Sequence, residues 1–127
     1  GASVKSLVTS AKKAEQMVVI YDDLDLPVGR MKISFNRSSG GHRGLESIIK
    51  AIKTEAFPRI RIGISPTTPS GKMKKPIGEK VVGDFILGKF KDKESQELKK
   101  IAKKVSEAIE MMVKEGREVA TGYINSL

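Results

Sequence analysis

The stretch FPRIRIGI, residues 57–64, says most about the fold because arginine or glycine alternates with isoleucine along it from residue 59 onward. A period of two is the repeat of a β-strand, in which successive side chains point to opposite faces of the sheet. We therefore expect the three isoleucines to face a core while Arg59 and Arg61 share the other face. Two guanidinium groups on one strand face are suited to binding a phosphate.

Two further strands are predicted upstream of this one. The segment GRMKISF, residues 29–35, places Met31, Ile33 and Phe35 on one face and cationic or polar residues on the other. The segment MVVIY, residues 17–21, is a continuous apolar run, which is typical of a strand buried on both faces. The three segments together predict one sheet.

Apolar residues at helical spacing mark the segments between and after these strands. We expect a helix from Val4 to Ala14 and a second helix over 45–54, followed by a mobile proline- and glycine-rich loop over 65–80 and a short apolar segment over 81–90. A long helix over 91–116 has an apolar stripe from Leu98 to Val113. A final helical piece completes a C-terminal helical region over 91–127. Strands that alternate with helices predict a single-domain α/β fold, with a mixed, mostly parallel twisted sheet flanked by helices. Three strands are few for such a sheet, so we expect its early strands to be missing from this sequence.

The composition limits the classes of function. Lysine and arginine outnumber aspartate and glutamate by 24 to 15, which gives a formal net charge of +9. Such a surface attracts polyanions, and RNA, DNA or anionic lipid would all fit. The chain has no cysteine, so disulfides and cysteine-based zinc sites are excluded, in keeping with a reducing, cytoplasmic setting. No apolar run approaches the ~20 residues that cross a bilayer, so no membrane-spanning segment is predicted.

Three carboxylates, Asp22, Asp23 and Asp25, come directly after the first predicted strand. In open α/β sheets, ligands bind beyond the carboxyl ends of the strands, which is where Asp22 is expected. A partly desolvated carboxylate in that place can orient an imidazole or a water. The alternative is that all three side chains only make hydrogen bonds within the turn. A calcium loop is disfavoured because the glycine and the terminal glutamate of that pattern are absent.

The second candidate site is the glycine-rich loop NRSSGGHRG, residues 36–44, which precedes a predicted helix. Gly40 and Gly41 allow the backbone to approach a ligand closely, and the amides at a helix start favour anions. His42 is the only histidine of the chain, and a lone histidine is more often structural than catalytic. The loop matches neither a P-loop nor a dinucleotide-binding fingerprint.

Cationic side chains are expected around both candidate sites. They are Arg30, Lys32, Arg37, Arg43, Arg59 and Arg61 on strands and loops, and Lys72, Lys74 and Lys75 on the loop over 65–80. The lysines of the long helix are interpreted as a solvated face.

Four motifs in order resemble the bacterial-type peptidyl-tRNA hydrolase (aminoacyl-tRNA hydrolase) family: VVIYDDLDLPVGRMKISF, GGHRGLESII, FPRIRIGI and VGDFILGKF. The resemblance covers nearly the whole chain. It implies a hydrolase of translation, built as one α/β domain with a mixed sheet between helices. Such an enzyme cleaves the ester between a peptide and the 3′ end of tRNA without a metal or cofactor. The implied partner is the acceptor stem and 3′ end of peptidyl-tRNA, and members are usually monomeric.

The resemblance also implies roles for individual residues. Asp22 matches the catalytic aspartate, which orients a catalytic histidine. The implied substrate-binding residues are His42, Arg43, Gly40 and Gly41, and the implied tRNA-binding residues are Arg61, Lys32, Arg59 and Arg30. Residues 65–80 match a mobile lid beside the cleft.

The sequence departs from the family pattern at several points. The family's catalytic histidine and two substrate-binding asparagines are not found, and GASVKSL at the start is similar to the residues that come after an early MNxS motif in the family. We therefore expect residues 1–127 to be the C-terminal two-thirds of such a domain, inactive by itself and prone to self-association. Arg43 stands where many members have asparagine, and Ser34 where some have lysine. Alternatives are a non-catalytic RNA-binding module on the same fold and a basic domain that binds an acidic protein.

Overall fold

The computed structural model describes all residues from 1 to 127 and alternates helices with strands along the chain. The elements are α1 (Ala2–Lys5), α2 (Ala11–Glu15), β1 (Val19–Pro27), β2 (Met31–Phe35), α3 (Arg43–Ile52), β3 (Pro58–Ser65), α4 (Glu79–Leu87), α5 (Asp92–Glu115) and α6 (Arg117–Ser126). The predicted α/β class is confirmed. None of the six helices combines the length and apolarity that crossing a bilayer would need.

Strand β3 lies in the middle of a three-stranded sheet of order β1-β3-β2. It runs parallel to β1 and antiparallel to β2, so the predicted mixed sheet is confirmed. One strand pair is parallel and the other is antiparallel, whereas a mostly parallel sheet was expected. Because β3 has a neighbour on each side and cover on both faces, all but one of its residues are buried.

The apolar face of the sheet packs against α5 and α6. The core cluster consists of Met31, Ile33, Ile60, Ile101, Ala108, Ala120 and Ile124. The predicted apolar stripe of α5 is only partly used, since Ile101 and Ala108 are buried while Val113 is 81% exposed. Helix α5 therefore contacts the sheet along a narrower line than its sequence pattern suggests.

Two local predictions are wrong. The strand predicted to be buried on both faces, β1, is an edge strand with one neighbour, and Ile20 is 46% exposed. The single helix predicted from Val4 to Ala14 is two short helices, because the helix that begins at Ala2 ends at Lys5. The side chain of Ser10 then accepts a hydrogen bond from the Lys13 backbone N–H at 3.2 Å and starts α2.

The outer edge of β2 is closed by one side chain of α6. The Oδ1 atom of Asn125 accepts the Ile33 backbone N–H at 2.8 Å, and its Nδ2 donates to the Ile33 carbonyl oxygen at 2.9 Å. The amide thus pairs with backbone groups of the edge strand that could otherwise pair with another strand. A guanidinium of α6 adds a second contact, since Arg117 lies 3.6 Å from the centroid of the Phe35 ring.

Replacement of Asn125 by aspartate is expected to destabilise the protein by about 1–2 kcal/mol, because a carboxylate cannot donate to the Ile33 carbonyl. Urea unfolding measures the change. The control is Gln96→Glu, which makes the same amide-to-acid change at an exposed position of α5 that has no side-chain hydrogen bond. Equal stability of the two variants would contradict the role of Asn125 at the strand edge.

Candidate active site

A cavity of about 740 Å³ opens beside residues 21–25 of β1. Its walls are the end of β1, the loop over 36–42, and α4 with the segment before it. Of the predicted site residues, it is lined by Asp22, Gly40, Gly41, His42, Arg43 and Arg61. The structure therefore brings the predicted catalytic and substrate-binding residues to one place.

The three carboxylates that were predicted to follow the first strand lie within β1, because that strand continues to Pro27, and they have three different partners. Asp23 is buried; its Oδ1 accepts the Asp25 backbone N–H at 2.7 Å and its Oδ2 accepts from the distant Arg61, so its hydrogen bonds are not only local. Asp25 is exposed and forms an ion pair with Lys75. Asp22 takes part in neither contact, and its side chain is 39% exposed at the cavity wall. All three carboxylates line the cavity, and Asp22 is the one that is partly buried and has no arginine or lysine partner.

The partner of Asp22 is the imidazole of His42. The Nε2 atom of His42 lies 2.9 Å from Asp22 Oδ1, and the Tyr21 ring meets the imidazole edge-on at 5.1 Å between centroids. Asp22 thus has an imidazole beside it within this chain, that of the single histidine. The role that the resemblance implies for Asp22, orienting a catalytic histidine that is not found in residues 1–127, stays a prediction. Sequence reasoning missed Tyr21, which gave no signal beyond its place beside Asp22.

Each member of this pair changes the pKa of the other. The hydrogen bond from His42 lowers the pKa of Asp22 against the opposing effect of burial. The hydrogen bond to Asp22 raises the pKa of His42, again against burial. The pair is therefore held in its charged form between the lowered pKa of the carboxyl and the raised pKa of the imidazole.

Glycines give the loop over 36–42 and the start of α3 their shape. Gly40 and Gly41 have φ of 60° and 85°, which is the left-handed region that favours glycine. A glycine is favoured at position 44 for a different reason, because a Cβ there would lie 3.1 Å from Cε1 of His42. The loop is thus shaped by backbone conformation, and the first turn of α3 by space for the imidazole.

Arg61 reaches the cavity from β3 through a buried ion pair. Its Nε donates to Asp23 Oδ2 at 2.7 Å, and its Nη1 donates to Ser34 Oγ at 3.3 Å. The side chains of Arg61 and Asp23 are 9% and 10% exposed. The Nη2 atom makes no hydrogen bond within the protein and is not buried, so it remains free to donate to a ligand in the cavity.

One ion pair across the cavity mouth was not foreseen. Arg43, at the start of α3, pairs with Glu79, the first residue of α4, and both side chains are 80% exposed. Glu79 falls in the segment predicted as loop, and 36 residues separate it from Arg43, so no sequence signal pointed to the pair. Together with the Lys75–Asp25 pair, it connects the segment around α4 to the rim of the cavity.

One known protein family matches nearly the whole chain. The family profile described as peptidyl-tRNA hydrolase matches residues 1–126. The chain belongs to the peptidyl-tRNA hydrolase family. It is 43% identical to the peptidyl-tRNA hydrolase of Aquifex aeolicus over 98% of this chain and 61% of that protein, and 36% identical to that of Persephonella marina over 98% and 62%.

A solved peptidyl-tRNA hydrolase also matches the fold. The crystal structure of the enzyme from Acinetobacter baumannii superposes with a TM-score of 0.81 at 25% identity, covering 98% of this chain and 59% of that one. The chain thus spans about three-fifths of the length of these peptidyl-tRNA hydrolases.

Three of the tRNA-binding residues implied by the family lie away from the cavity. Arg59 is 0% exposed, so the expectation that it shares an open strand face with Arg61 is wrong. Lys32 is exposed on β2, and Arg30 donates to the Leu127 carbonyl at 3.4 Å. Neither lines the cavity, and their contact with tRNA stays a prediction.

Arg59 supports the glycine-rich loop from inside the protein. Its Nη1 donates to the Ser38 carbonyl at 2.9 Å and its Nη2 to the Glu55 carbonyl at 3.0 Å. Its guanidinium lies 4.4 Å from the centroid of the Phe57 ring, and its Nε has no partner. Burial lowers the pKa of Arg59. This side chain anchors the loop that carries His42.

The variant Arg59→Met is expected to lose about 3 kcal/mol of unfolding free energy, because two carbonyls beneath the loop lose their donor. Arg30→Met removes the same charge from an exposed position and should change stability by no more than ~0.5 kcal/mol. Chemical unfolding of both variants makes the comparison. If Arg59→Met were as stable as Arg30→Met, the anchoring role would be wrong.

The Asp22–His42 pair should make stability depend on pH. Because the pKa of His42 is raised, its contribution is fully present below the ordinary value of about 6.5 and is lost as pH rises through the raised pKa. The stability gap between wild type and Asp22→Asn should therefore be wider at about pH 5.5 than at about pH 8.5, by less than ~1 kcal/mol after solvent screening.

Urea unfolding at the two pH values measures this gap. The control is Asp84→Asn, which neutralises an exposed carboxylate that has no ion-pair partner, and its gap should not change with pH. A gap for Asp22→Asn that is flat with pH would show that the two side chains do not interact in solution.

Proposed function

We propose that this chain carries the aspartate and the substrate-holding part of a peptidyl-tRNA hydrolase, which cleaves the ester between a peptide and the 3′ end of tRNA. The observation that supports this most is Asp22, paired with an imidazole at 2.9 Å on the wall of the cavity. The names of the relatives favour this function over a non-catalytic RNA-binding module.

The chemistry needs a base for water, a group that orients that base, and donors for the oxyanion. In our proposal Asp22 is the orienting catalytic residue. Gly40, Gly41, His42 and Arg43 form the wall that the peptide and the tRNA end contact. Both nitrogens of His42 already have partners in the structure, so His42 is not free to act as the base. We therefore expect residues 1–127 by themselves to turn over slowly or not at all.

The cationic surface supplies the affinity for tRNA in this proposal. The free Nη2 of Arg61 suits a phosphate at the cavity, and Lys32 and Arg30 extend the positive surface beyond it. No metal or cofactor takes part, the enzyme acts in the cytoplasm, and the complete protein works as a monomer.

Residues 65–80 and α4 would act as a lid over the cavity. No residue of α4 is buried, and two exposed ion pairs connect the segment to the rim. Contacts of this kind contribute little to stability, which suits a segment that must move for substrate to enter.

The test joins residues 1–127 to the part of the Aquifex aeolicus relative that this chain does not match, and measures peptide release from a model peptidyl-tRNA. We expect the joined protein to be active and Asp22→Asn to lower its kcat by about 10²–10⁴-fold, because the base is no longer oriented. Asp84→Asn, at an exposed site on α4, should leave kcat unchanged.

Binding of tRNA is measured on the same proteins at several salt concentrations. Phosphate contacts predict an affinity that falls steeply as salt rises. Salt-dependent binding without any ester cleavage would contradict the hydrolase and favour an RNA-binding module. Absence of both binding and cleavage would favour an acidic protein partner instead.

A further inference from the structure

The two nitrogens of the His42 ring contact groups of opposite character. Nδ1 lies 3.1 Å from the backbone nitrogen of Leu45, which can only donate a hydrogen. Nε2 lies 2.9 Å from the Asp22 carboxylate, which can only accept one while it is ionised. A neutral imidazole has one nitrogen that accepts and one that donates. The Leu45 amide therefore requires the lone pair on Nδ1, and Asp22 requires the proton on Nε2.

We propose that His42 is a positioning residue whose neutral ring is held in the Nε2–H tautomer, which ties the N-terminus of α3 to Asp22 and leaves neither ring nitrogen free for water or substrate. His42 is then the N-cap of α3 and the fixed neighbour of Asp22 at the same time. The inference rests on the contacts of one ring and holds whether or not the chain takes part in ester hydrolysis.

Packing around the ring supports a single orientation. The Tyr21 ring meets it edge-on with an angle of 72° between planes. On the side of α3, Gly44 leaves room that a Cβ would narrow to 3.1 Å from Cε1. A ring turned by half a rotation would present carbon atoms to both Leu45 and Asp22 and lose both hydrogen bonds. The observed orientation is the one that satisfies both partners.

The length of the imidazole side chain explains why a histidine caps α3 instead of one of the usual N-cap residues. Serine, threonine, asparagine and aspartate cap helices with a short side chain that accepts from the second or third amide of the first turn. The imidazole makes that contact with Nδ1 and extends across the ring to a second partner on β1. The two nitrogens of one ring thereby join the start of α3 to β1.

Protonation of His42 should break the cap. The imidazolium carries a hydrogen on each nitrogen, so Nδ1–H would face the Leu45 N–H and their hydrogen bond would be lost. Asp22 favours the imidazolium, so the titration of one side chain changes the first turn of α3. The ionisable groups that face the ring or share its cavity are Asp22, Asp23, Asp25, Tyr21, Arg37, Arg43, Arg61, Lys75 and Glu79.

Nitrogen NMR of the wild-type protein tests the tautomer directly, because the chain has a single histidine. At a pH where the ring is neutral, we expect the spectrum of the pure Nε2–H form. As pH falls, the Leu45 amide proton should shift with the same midpoint as the ring. An Nδ1–H spectrum, an averaged mixture of tautomers, or a Leu45 amide that ignores the titration would overturn the proposal.

Two variants separate the cap from the contact with Asp22. His42→Ala should speed hydrogen exchange of the Leu45 amide roughly fivefold, as expected for the loss of one N-cap. His42→Ser should restore much of that protection, since serine caps helices, while Asp22 loses its partner and its pKa returns upward. A merely bulky structural residue would not be rescued by serine.

The matched control is Ser10→Ala, which removes the side-chain cap of α2 and does not touch α3. It should leave the Leu45 amide unchanged. Equal exchange of this amide in wild type, His42→Ala and His42→Ser would refute the capping role. If His42→Ala does not fold, the wild-type titration of the Leu45 amide decides the proposal alone.

Discussion

The burial of two arginines of β3 is the constraint that sets the arrangement of the cavity. Strand β3 is covered on both faces, so the guanidinium groups of Arg59 and Arg61 must find hydrogen-bond acceptors inside the protein. Arg59 finds the carbonyls of Ser38 and Glu55, and Arg61 finds the carboxylate of Asp23. These contacts fix the loop and the end of β1 relative to the central strand.

The acidic cluster within β1 is connected to the same constraint. Asp23 neutralises Arg61 and closes the turn at Asp25, while Asp25 holds Lys75 at the rim. Asp22 is left for the cavity, where an imidazole instead of a guanidinium is its partner. In this basic protein Asp23 and Asp25 are thus paired with cationic side chains, and Asp22 is the carboxylate that has no arginine or lysine partner. Asp22 is thus the one carboxylate of the three whose partner is an imidazole.

The chain belongs to the peptidyl-tRNA hydrolase family but is shorter than its relatives. The chain matches about three-fifths of its relatives, and β1 has a neighbour on one side only. By contrast, the opposite edge of the sheet is closed within the chain by the Asn125 amide. The β2 edge of the sheet is therefore covered by a side chain, while the β1 edge, on the strand that carries Asp22, has no neighbouring strand.

Helix and strand periodicity are local properties of neighbouring residues, so most of the elements could be predicted from the amino-acid sequence. The alternation of β3, the glycine-rich loop before α3 and the α/β class were all accessible in this way, and the order of the motifs indicated the family. Three features needed the folded chain: the arginine face of β3 is buried, β1 is an edge, and His42 meets Asp22. A period of two says which residues share a face, but the chain that covers that face comes from elsewhere in the sequence. Likewise, 20 residues separate His42 from Asp22, and their contact depends on how β1 and the start of α3 pack around β3.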